Sequence, residues 1–233
     1  MCCSIYIIHQ SFDFVNDFVR FKQVYFENAV EKSGNAWYNE LKRAGELPGK
    51  SYLWGNIMKI IAIGAVTSGG KTTVVNAVKD RLPRTASLHF DNYSFEGEVE
   101  DFSKWVSEGA DVNVWDLSPL KTDIDKIVRS GEYDCLLLDY PFAYQHQMIK
   151  PYLDCCIFID TPLDIAMARR VLRDMKEATS DEIRNEMDTY LKYARTAYIQ
   201  MVKNHLSTCD YVIDGAKELE SIINETVEII SRI

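Results

Sequence analysis

The sequence predicts an α/β fold in which a parallel β-sheet is wrapped by helices on both faces. From Met58 onward, short apolar runs rich in β-branched residues alternate with segments of helical periodicity. The apolar runs are continuous and do not alternate with polar residues, as expected of parallel strands that are buried on both faces. The composition, with 47% hydrophobic and 26% charged residues, is that of an ordinary globular protein.

Each element of this fold is assigned from its local pattern. We predict five strands, at residues 59–63, 86–90, 135–138, 155–159 and 211–213. The Ser118-Pro119 pair is typical of a helix start, in which an N-cap residue precedes proline at the first helical position. Helices are predicted at residues 72–82, 118–130, 162–176, 180–205 and 217–230.

The chain divides near residue 57. Residues 12–30 carry apolar and mostly aromatic side chains at intervals of three and four, which indicates a helix, and a shorter helix is expected at 36–44. No set of residues in this part suggests catalysis. We therefore expect a main domain over 58–233 and an N-terminal helical appendage over 1–57, which packs on the main domain or on a second copy of the chain. Alternatively, the natural chain starts at Met58.

Charge and cysteine usage restrict the partners and the compartment. The formal net charge of −9 argues against non-specific binding to nucleic acid or to an anionic membrane. No apolar run approaches the roughly 20 residues of a membrane-spanning helix. The six cysteines show no paired metal-ligand spacing, and three of them lie within predicted strands. With no basic N-terminal region of a signal peptide, we expect reduced thiols in a cytoplasmic protein.

The most specific motif follows the first predicted strand. Residues 65–72 match the pattern G-x-x-x-x-G-K-[ST], with Ala65 in place of the first glycine. In such a loop, backbone N–H groups and the next helix N-terminus hold a polyphosphate, the lysine reaches its terminal oxygens, and the hydroxyl ligates Mg²⁺. The motif predicts a P-loop NTPase fold that binds a nucleotide with Mg²⁺, and it leaves open which reaction follows. The residues expected to bind the nucleotide are Ala65, Val66, Thr67, Ser68, Gly69, Gly70, Lys71, Thr72 and Thr73.

Two acidic residues stand at the ends of predicted strands. Asp91 follows the second strand, where it can act as the general base toward an attacking hydroxyl or can form a turn with Asn92. Asp139 closes the apolar third strand in the Walker B manner, so it either holds Mg²⁺ together with Thr72 or is a surface acid at a strand end.

Three arginines cluster on the helix predicted after the fourth strand. Arg169 and Arg173 are four residues apart, and Arg170 and Arg173 are three apart, so either pair shares a helix face. The guanidinium groups suit phosphoryl oxygens, and the helix can close as a lid that excludes water. The other interpretation is a solvated charged face paired with Asp164 and Asp174.

These motifs resemble the uridine kinase/phosphoribulokinase family and the nicotinamide riboside kinases. The resemblance covers residues 58–233 and lies in the phosphate loop, in the segment Phe90-Asp91-Asn92-Tyr93, in Val114-Trp115-Asp116, and in the strand and lid over 157–174. It implies that the site residues act as follows: Asp91 as catalytic base; Tyr93 and Asp116 on the acceptor; Lys71, Arg170 and Arg173 on the transferred phosphoryl group; Arg169 and Gly215 on the nucleotide.

Some features of that family are missing. The helix that ends near Ser130 runs almost directly into the third strand, which leaves no room for the hairpin with which uridine kinases grip the pyrimidine. The arginines that follow the family's lid segment are also absent. The kinase machinery is therefore better supported by the sequence than the nucleoside acceptor is.

The resulting hypothesis is an enzyme that transfers a phosphoryl group from Mg·ATP to a hydroxyl of a small molecule. The acids between residues 96 and 101 disfavour a strongly anionic acceptor and favour a neutral or cationic one, such as a nucleoside or nicotinamide riboside. Two alternatives stay open: a nucleotide-binding switch or regulatory ATPase without a small-molecule acceptor, and a binding module without catalytic activity.

Overall fold

The computed structural model describes residues 58–97, 99, 104–105 and 108–233. The helical appendage expected for residues 1–57 lies outside the described residues. In the part of the chain that is described, no helix has the length and apolar character needed to cross a membrane.

A parallel β-sheet forms the centre of the fold, as predicted. Its strands in the described residues are β1 (Lys59–Ala65), β2 (Thr85–His89), β3 (Cys135–Asp139), β4 (Cys155–Asp160) and β5 (Tyr211–Asp214). They are arranged in the order β2-β3-β1-β4-β5, with every neighbouring pair parallel. All strands therefore end at one edge of the sheet, where ligands bind in open α/β folds.

Helices follow the strands along the chain except between β3 and β4, where the described chain forms a loop with a short 3₁₀ turn, Lys150–Tyr152. The helices are α1 (Lys71–Arg81), α2 (Ser118–Ser130), α3 (Leu163–Asp174), α4 (Ser180–Thr189), α5 (Arg195–Thr208) and α6 (Leu219–Arg232). The helix predicted over 180–205 is in fact α4 and α5 joined by a π-helical segment, Tyr190–Ala194. The sequence pattern did not reveal this insertion because a π-turn keeps the backbone helical and shifts the side-chain faces by only one residue.

Both faces of the sheet are buried, which explains the continuous apolar runs of the strands. Alternate residues of β1 point to opposite sides: Ile61 and Ile63 belong to the core cluster that includes α1 and α6, whereas Ile60 and Ala62 belong to the cluster that includes α2. The three strand cysteines lie buried as free thiols within these clusters, as expected. The two layers hold the strand ends, and hence the site, in fixed positions.

Candidate active site

The loop that joins β1 to α1 has the backbone geometry that the phosphate-binding motif requires. Gly70 has a φ of 99°, in the left-handed region that favours glycine. A Cβ added at Gly69 would lie 2.8 Å from the Val66 carbonyl oxygen and 2.9 Å from the Ala65 Cβ. The Gly69 N–H donates to the same Val66 oxygen at 2.8 Å. The tight curvature of the loop therefore admits only glycine at both positions.

The N-terminus of α1 faces a cavity without a capping side chain. Gly70 stands at the N-cap, and the first turn of α1 contains no acidic residue. Its backbone N–H groups and the positive end of the helix dipole are thus available to an anion. Every residue from 65 to 73 except Val66 lines the cavity, and Val66 is buried behind the loop. The arrangement fits the triphosphate of a nucleotide.

Three charged side chains converge beside this loop. Lys71 Nζ lies 3.2 Å from Asp139 Oδ1 and 3.7 Å from Asp91 Oδ2. Asp139 is the last residue of β3, and Asp91 lies in the short 3₁₀ turn that follows β2, the neighbouring strand. Asp139 is buried, whereas 76% of the Asp91 side chain is exposed. Lys71 thus contacts two carboxylates, one that is buried at a strand end and one that is accessible to solvent.

The polar groups around Asp139 fit a magnesium ion. Its Oδ2 accepts a hydrogen bond from the Thr72 hydroxyl at 2.5 Å. Its buried Oδ1 makes no hydrogen bond within the described residues, although the Lys71 ammonium lies near it. Mg²⁺ binds oxygen ligands and keeps several waters, so one or two protein ligands suffice. Thr72 and Asp139 are therefore suited to hold Mg²⁺ beside the phosphates.

His89, the last residue of β2, is a neighbour of Asp139 that the sequence motifs did not reveal. His89 Nδ1 lies 3.1 Å from Asp139 Oδ2, and His89 Nε2 lies 3.3 Å from the Ser87 hydroxyl. The register of β2 and β3 places His89 directly opposite Asp139. The contact could be predicted only from the alignment of β2 with β3. Nothing in the local sequence relates two positions that are 50 residues apart.

Gly215 supports the loop from behind and does not line the cavity. The Thr161 hydroxyl donates to the Gly69 carbonyl oxygen at 2.8 Å. A Cβ added at Gly215 would lie 2.1 Å from that hydroxyl oxygen and 2.8 Å from the Thr161 backbone. The predicted nucleotide contact at Gly215 is therefore corrected: the glycine lets the chain after β5 approach Thr161, and Lys217 and Leu219 beyond it line the cavity.

The lid arginines divide between two faces of α3. Arg169 and Arg173 line the cavity, and Arg169 lies next to Gly70. The hydrogen bonds that Arg173 donates to Asp174 raise the pKa of Arg173, and the negative charge of Asp91 raises it further. Arg170, by contrast, does not line the cavity.

Arg170, which the resemblance assigned to the phosphoryl group, pairs in the structure with residues of α4 and α5. Its guanidinium lies 2.8 Å from Glu186 on α4 and 3.3 Å from the Tyr198 hydroxyl on α5. Successive helical residues are about 100° apart, so Arg170 is turned away from Arg169, and of the two pairings that the spacing allowed the structure shows Arg169 with Arg173 at the cavity. The guanidinium pair at the cavity is Arg169 and Arg173.

Asp116 and Tyr93 also lie elsewhere than the resemblance implied. The exposed Asp116 carboxylate accepts from the Ser118 N–H at 3.0 Å and from its hydroxyl at 2.5 Å, which lowers the pKa of Asp116. The Tyr93 hydroxyl donates to Asp123 at 3.0 Å, and burial together with this bond raises the Tyr93 pKa. Neither side chain lines the cavity. Both side chains make hydrogen bonds to residues of α2 and hold the preceding chain segments against this helix.

The cavity beside the loop has a volume of about 750 Å³ and extends well beyond the loop. Its charged lining residues come from α1, Asp91, α3 and Lys217, and the remaining lining carries aromatic, amide, hydroxyl and apolar groups. One buried imidazole, His205, lines it as well, and burial lowers the pKa of this group, so the ring is neutral at pH 7. A cavity of this size and character accommodates a small molecule next to a nucleotide.

Comparison with known proteins agrees with this geometry. A family model described as "Phosphoribulokinase / Uridine kinase family" matches residues 133–220, which contain Asp139 and the lid arginines. This match and the curated relatives support a uridine kinase-like P-loop kinase. The resemblance seen in the sequence motifs is thereby confirmed, and with it the class of enzyme, a small-molecule kinase.

Two curated relatives match this kinase over most of their own length. The uridine kinase of Borrelia hermsii (strain HS1 / DAH) is 24% identical over 179 residues, covering 67% of this chain and 86% of the relative. The uridine kinase of Streptococcus uberis (strain ATCC BAA-854 / 0140J) is 28% identical over 190 residues, covering 70% and 90%.

Solved structures resemble the kinase more distantly. Shikimate kinase from Bacteroides thetaiotaomicron matches with a TM-score of 0.41 and 11% identity, covering 75% of this chain and 99% of that one. TT1252 from Thermus thermophilus matches with a TM-score of 0.43 and 15% identity, covering 76% and 98%.

Proposed function

We propose that the kinase transfers the γ-phosphoryl group of Mg·ATP to a hydroxyl group of a nucleoside-like small molecule. The observation that carries this proposal is the contact of Lys71 with both Asp139 and Asp91 beside the uncapped N-terminus of α1. Phosphoryl transfer needs these parts in one place: a phosphate cradle, a metal-binding carboxylate and a base for the acceptor hydroxyl. The curated relatives are uridine kinases, which supports a nucleoside-like acceptor.

The loop and its flanking groups hold the nucleotide. The N–H groups of residues 67–72 surround the phosphates, and Lys71 neutralises the charge that develops on the transferred group. Thr72 and Asp139 hold Mg²⁺, which when bound shields the phosphate oxygens. Arg169 and Arg173 approach from α3 and complete the positive surroundings of the phosphoryl group.

Asp91 acts on the acceptor. Its carboxylate is largely exposed and lies on the cavity, so an incoming hydroxyl can donate a hydrogen bond to it. As the hydroxyl oxygen bonds to the γ-phosphorus, its proton passes to Asp91, the bond between the γ-phosphorus and the β–γ bridging oxygen breaks, and ADP leaves. Asp139 cannot act as the general base, because it is buried and its carboxylate already accepts a hydrogen bond from the Thr72 hydroxyl.

A comparison of Asp91→Asn with the unchanged chain tests this proposal. Both are assayed for ATP-dependent phosphorylation of uridine, cytidine and nicotinamide riboside, and for binding of an inert ATP analogue with Mg²⁺. We expect the substitution to lower kcat by about 10²–10⁴-fold, the usual contribution of a general base, and to leave analogue binding unchanged.

Two results would contradict the proposal. Transfer by Asp91→Asn at the rate of the unchanged chain would remove Asp91 from its role as base. Slow ATP hydrolysis that no acceptor accelerates would instead identify a nucleotide-dependent switch.

A further inference from the structure

Two cysteine thiols lie in contact on the face of the sheet that packs against α2. Cys156 is the second residue of β4 and is fully buried, whereas Cys209 directly follows α5 and is partly exposed. Their sulfur atoms lie 3.0 Å apart. The other two described cysteines, Cys135 and Cys155, belong to the core cluster on the opposite face of the sheet. The contact therefore joins one particular pair, whose members are 53 positions apart in the sequence.

Hydrogen bonds of the neighbouring backbone hold the two cysteines in this position. The Asp210 N–H donates to the Cys156 carbonyl oxygen at 2.9 Å, and the Cys156 N–H donates to the Asp210 carboxylate at 2.8 Å. The same carboxylate oxygen accepts from the Tyr144 hydroxyl at 2.5 Å, and the Cys209 N–H donates to the His205 carbonyl oxygen at 2.9 Å. A disulfide needs two backbones that already lie close together. In this fold, bond formation requires the sulfur atoms to approach each other by only about 1 Å.

The two sulfur atoms differ in their access to an oxidant. The hydrogen bond between the two thiols, together with burial, raises the pKa of Cys156, so this thiol keeps its proton. Cys209 is partly exposed at the end of α5, so a small reagent reaches its sulfur first. An accessible cysteine beside a second thiol is the arrangement in which a first adduct is converted into a disulfide.

We infer that Cys156 and Cys209 form a reversible disulfide when the protein meets a low-molecular-weight disulfide such as oxidised glutathione. The Cys209 thiolate attacks one sulfur of the reagent, which gives a mixed disulfide and releases one thiolate that takes up the proton lost by Cys209. The Cys156 sulfur then bonds to the Cys209 sulfur, the mixed disulfide breaks, and the Cys156 proton passes to the second leaving thiolate. The protein loses two electrons and two protons, and the reagent is reduced to two thiols.

The bond joins the two ends of the segment that carries the lid. The helices α3, α4 and α5 all lie between Cys156 and Cys209. A cross-link across a long segment restricts the unfolded chain and thereby stabilises the folded state. Arg169 and Arg173 lie inside this segment and line the cavity, whereas neither cysteine lines it. We therefore expect the disulfide to stabilise the fold and to leave nucleotide binding unchanged.

Peptide mapping of the full chain tests the assignment of the pair. The folded protein is incubated with oxidised glutathione, the remaining thiols are alkylated, and the digest is analysed by mass spectrometry. We expect the peptide that contains Cys209 to be joined to the peptide that contains both Cys155 and Cys156. Cys155→Ala is the matched control, because Cys155 is a buried neighbour on the same strand and belongs to the opposite face. The link should persist in Cys155→Ala, whereas Cys156→Ala should leave Cys209 as a mixed disulfide with glutathione.

Thermal unfolding of the oxidised and reduced forms measures the effect of the cross-link. We expect the oxidised chain to unfold about 5–10 °C above the reduced chain, and dithiothreitol to reverse the shift. The shift should be absent in Cys209→Ser and retained in Cys155→Ala. Each shift compares two forms of one variant, so a change in the stability of the variant itself does not affect the comparison. Titration with an inert ATP analogue should give the same Kd for both forms of the unchanged chain.

Four results would overturn the inference. In the unchanged chain, Cys209 remains a free thiol or stops at the mixed disulfide; or Cys209 is joined to a cysteine other than Cys156, Cys2 and Cys3 included. Oxidation raises the unfolding temperature of Cys209→Ser as much as that of the unchanged chain; or the oxidised chain binds the ATP analogue more weakly and regains its affinity on reduction. These measurements need no phosphoryl acceptor, so they stand apart from the test of the proposed function.

Discussion

At the scale of single residues, Lys71 is the centre of the site because it is the cation shared by two carboxylates of different burial. The buried Asp139 is held by Thr72 and lies opposite His89, so its position is fixed by the sheet. The exposed Asp91 contacts Lys71 and can exchange this contact for one with a substrate hydroxyl. The difference in burial separates a metal-binding acid from a general base.

The two faces of α3 give a prediction for the lid arginines. Arg169→Met should lower kcat by about 100-fold, the usual effect of removing one donor to a developing anion, because Arg169 lines the cavity beside Gly70. Arg170→Met should affect kcat much less and lower the unfolding temperature, since Arg170 bridges to Glu186. Steady-state kinetics and thermal unfolding of both variants check this. Equal losses of kcat would contradict the assignment.

The close approach of Gly215 to Thr161 gives a second residue-scale prediction. Gly215→Ala should destabilise the fold by about 1–3 kcal/mol, the usual effect of overpacking, and should weaken ATP binding because Thr161 holds the phosphate loop. Urea unfolding and nucleotide titration measure the two effects. Gly131→Ala is the control: a Cβ there meets no atom within 4 Å, so only the strain of its positive φ is added. Similar results for the two variants would refute this packing argument.

At the scale of elements, the start of α2 shows two neighbouring residues with different roles. Asp116 accepts two hydrogen bonds from Ser118 at the beginning of the helix, where a carboxylate also interacts favourably with the helix dipole. Trp115, its neighbour, faces the cavity instead. The segment therefore contributes to the site through its aromatic ring and to the stability of the helix through its acid.

This division predicts the behaviour of Asp116→Ala. The variant should unfold at a lower urea concentration than the unchanged chain at pH 7 and should retain its KM for the nucleoside. The hydrogen bonds from Ser118 lower the folded-state pKa of Asp116, so the stabilisation is present above the ordinary carboxyl pKa and is lost as the pH falls through the lowered value. The difference between the two chains should therefore shrink below about pH 4. A raised nucleoside KM would restore the acceptor role to Asp116.

The strands, the helices and the phosphate loop could be predicted from the sequence because each depends on local patterns. Continuous apolar runs indicate buried parallel strands, and the glycines of the loop are required by its own curvature. The partners of Arg170, the contact of His89 with Asp139 and the support of Gly69 by Thr161 could not be predicted. These contacts join residues brought together only by strand order, by register and by the rotation of one helix.

At the scale of the whole molecule, the site lies where all the strands of the parallel sheet end, between α3, α5 and the segment before α2. Its parts come from positions spread over most of the described chain, and they meet only in the folded state. Binding of a nucleotide at this edge therefore stabilises the entire domain, because the unfolded chain has no equivalent site.

This linkage gives a prediction for thermal unfolding. An inert ATP analogue with Mg²⁺, present at about 100 times its Kd, should stabilise the fold by about 2.7 kcal/mol. The effect should be strongly reduced in Lys71→Met and when Mg²⁺ is removed with a chelator. Arg81→Met is the control, since Arg81 lies at the far end of α1 and pairs with Glu220. Equal stabilisation of Lys71→Met and the unchanged chain would place the nucleotide elsewhere.

The fate of the γ-phosphoryl group in a single turnover tests the central claim most directly. The full chain is mixed with a limiting amount of γ-labelled ATP, Mg²⁺ and an excess of uridine and cytidine, and the labelled products are separated. The convergence of Lys71, Asp91 and Asp139 predicts that most of the label appears in a nucleoside monophosphate, and that Asp91→Asn forms none on the same timescale. Label found only in inorganic phosphate, at equal rates with and without the nucleosides, would contradict it.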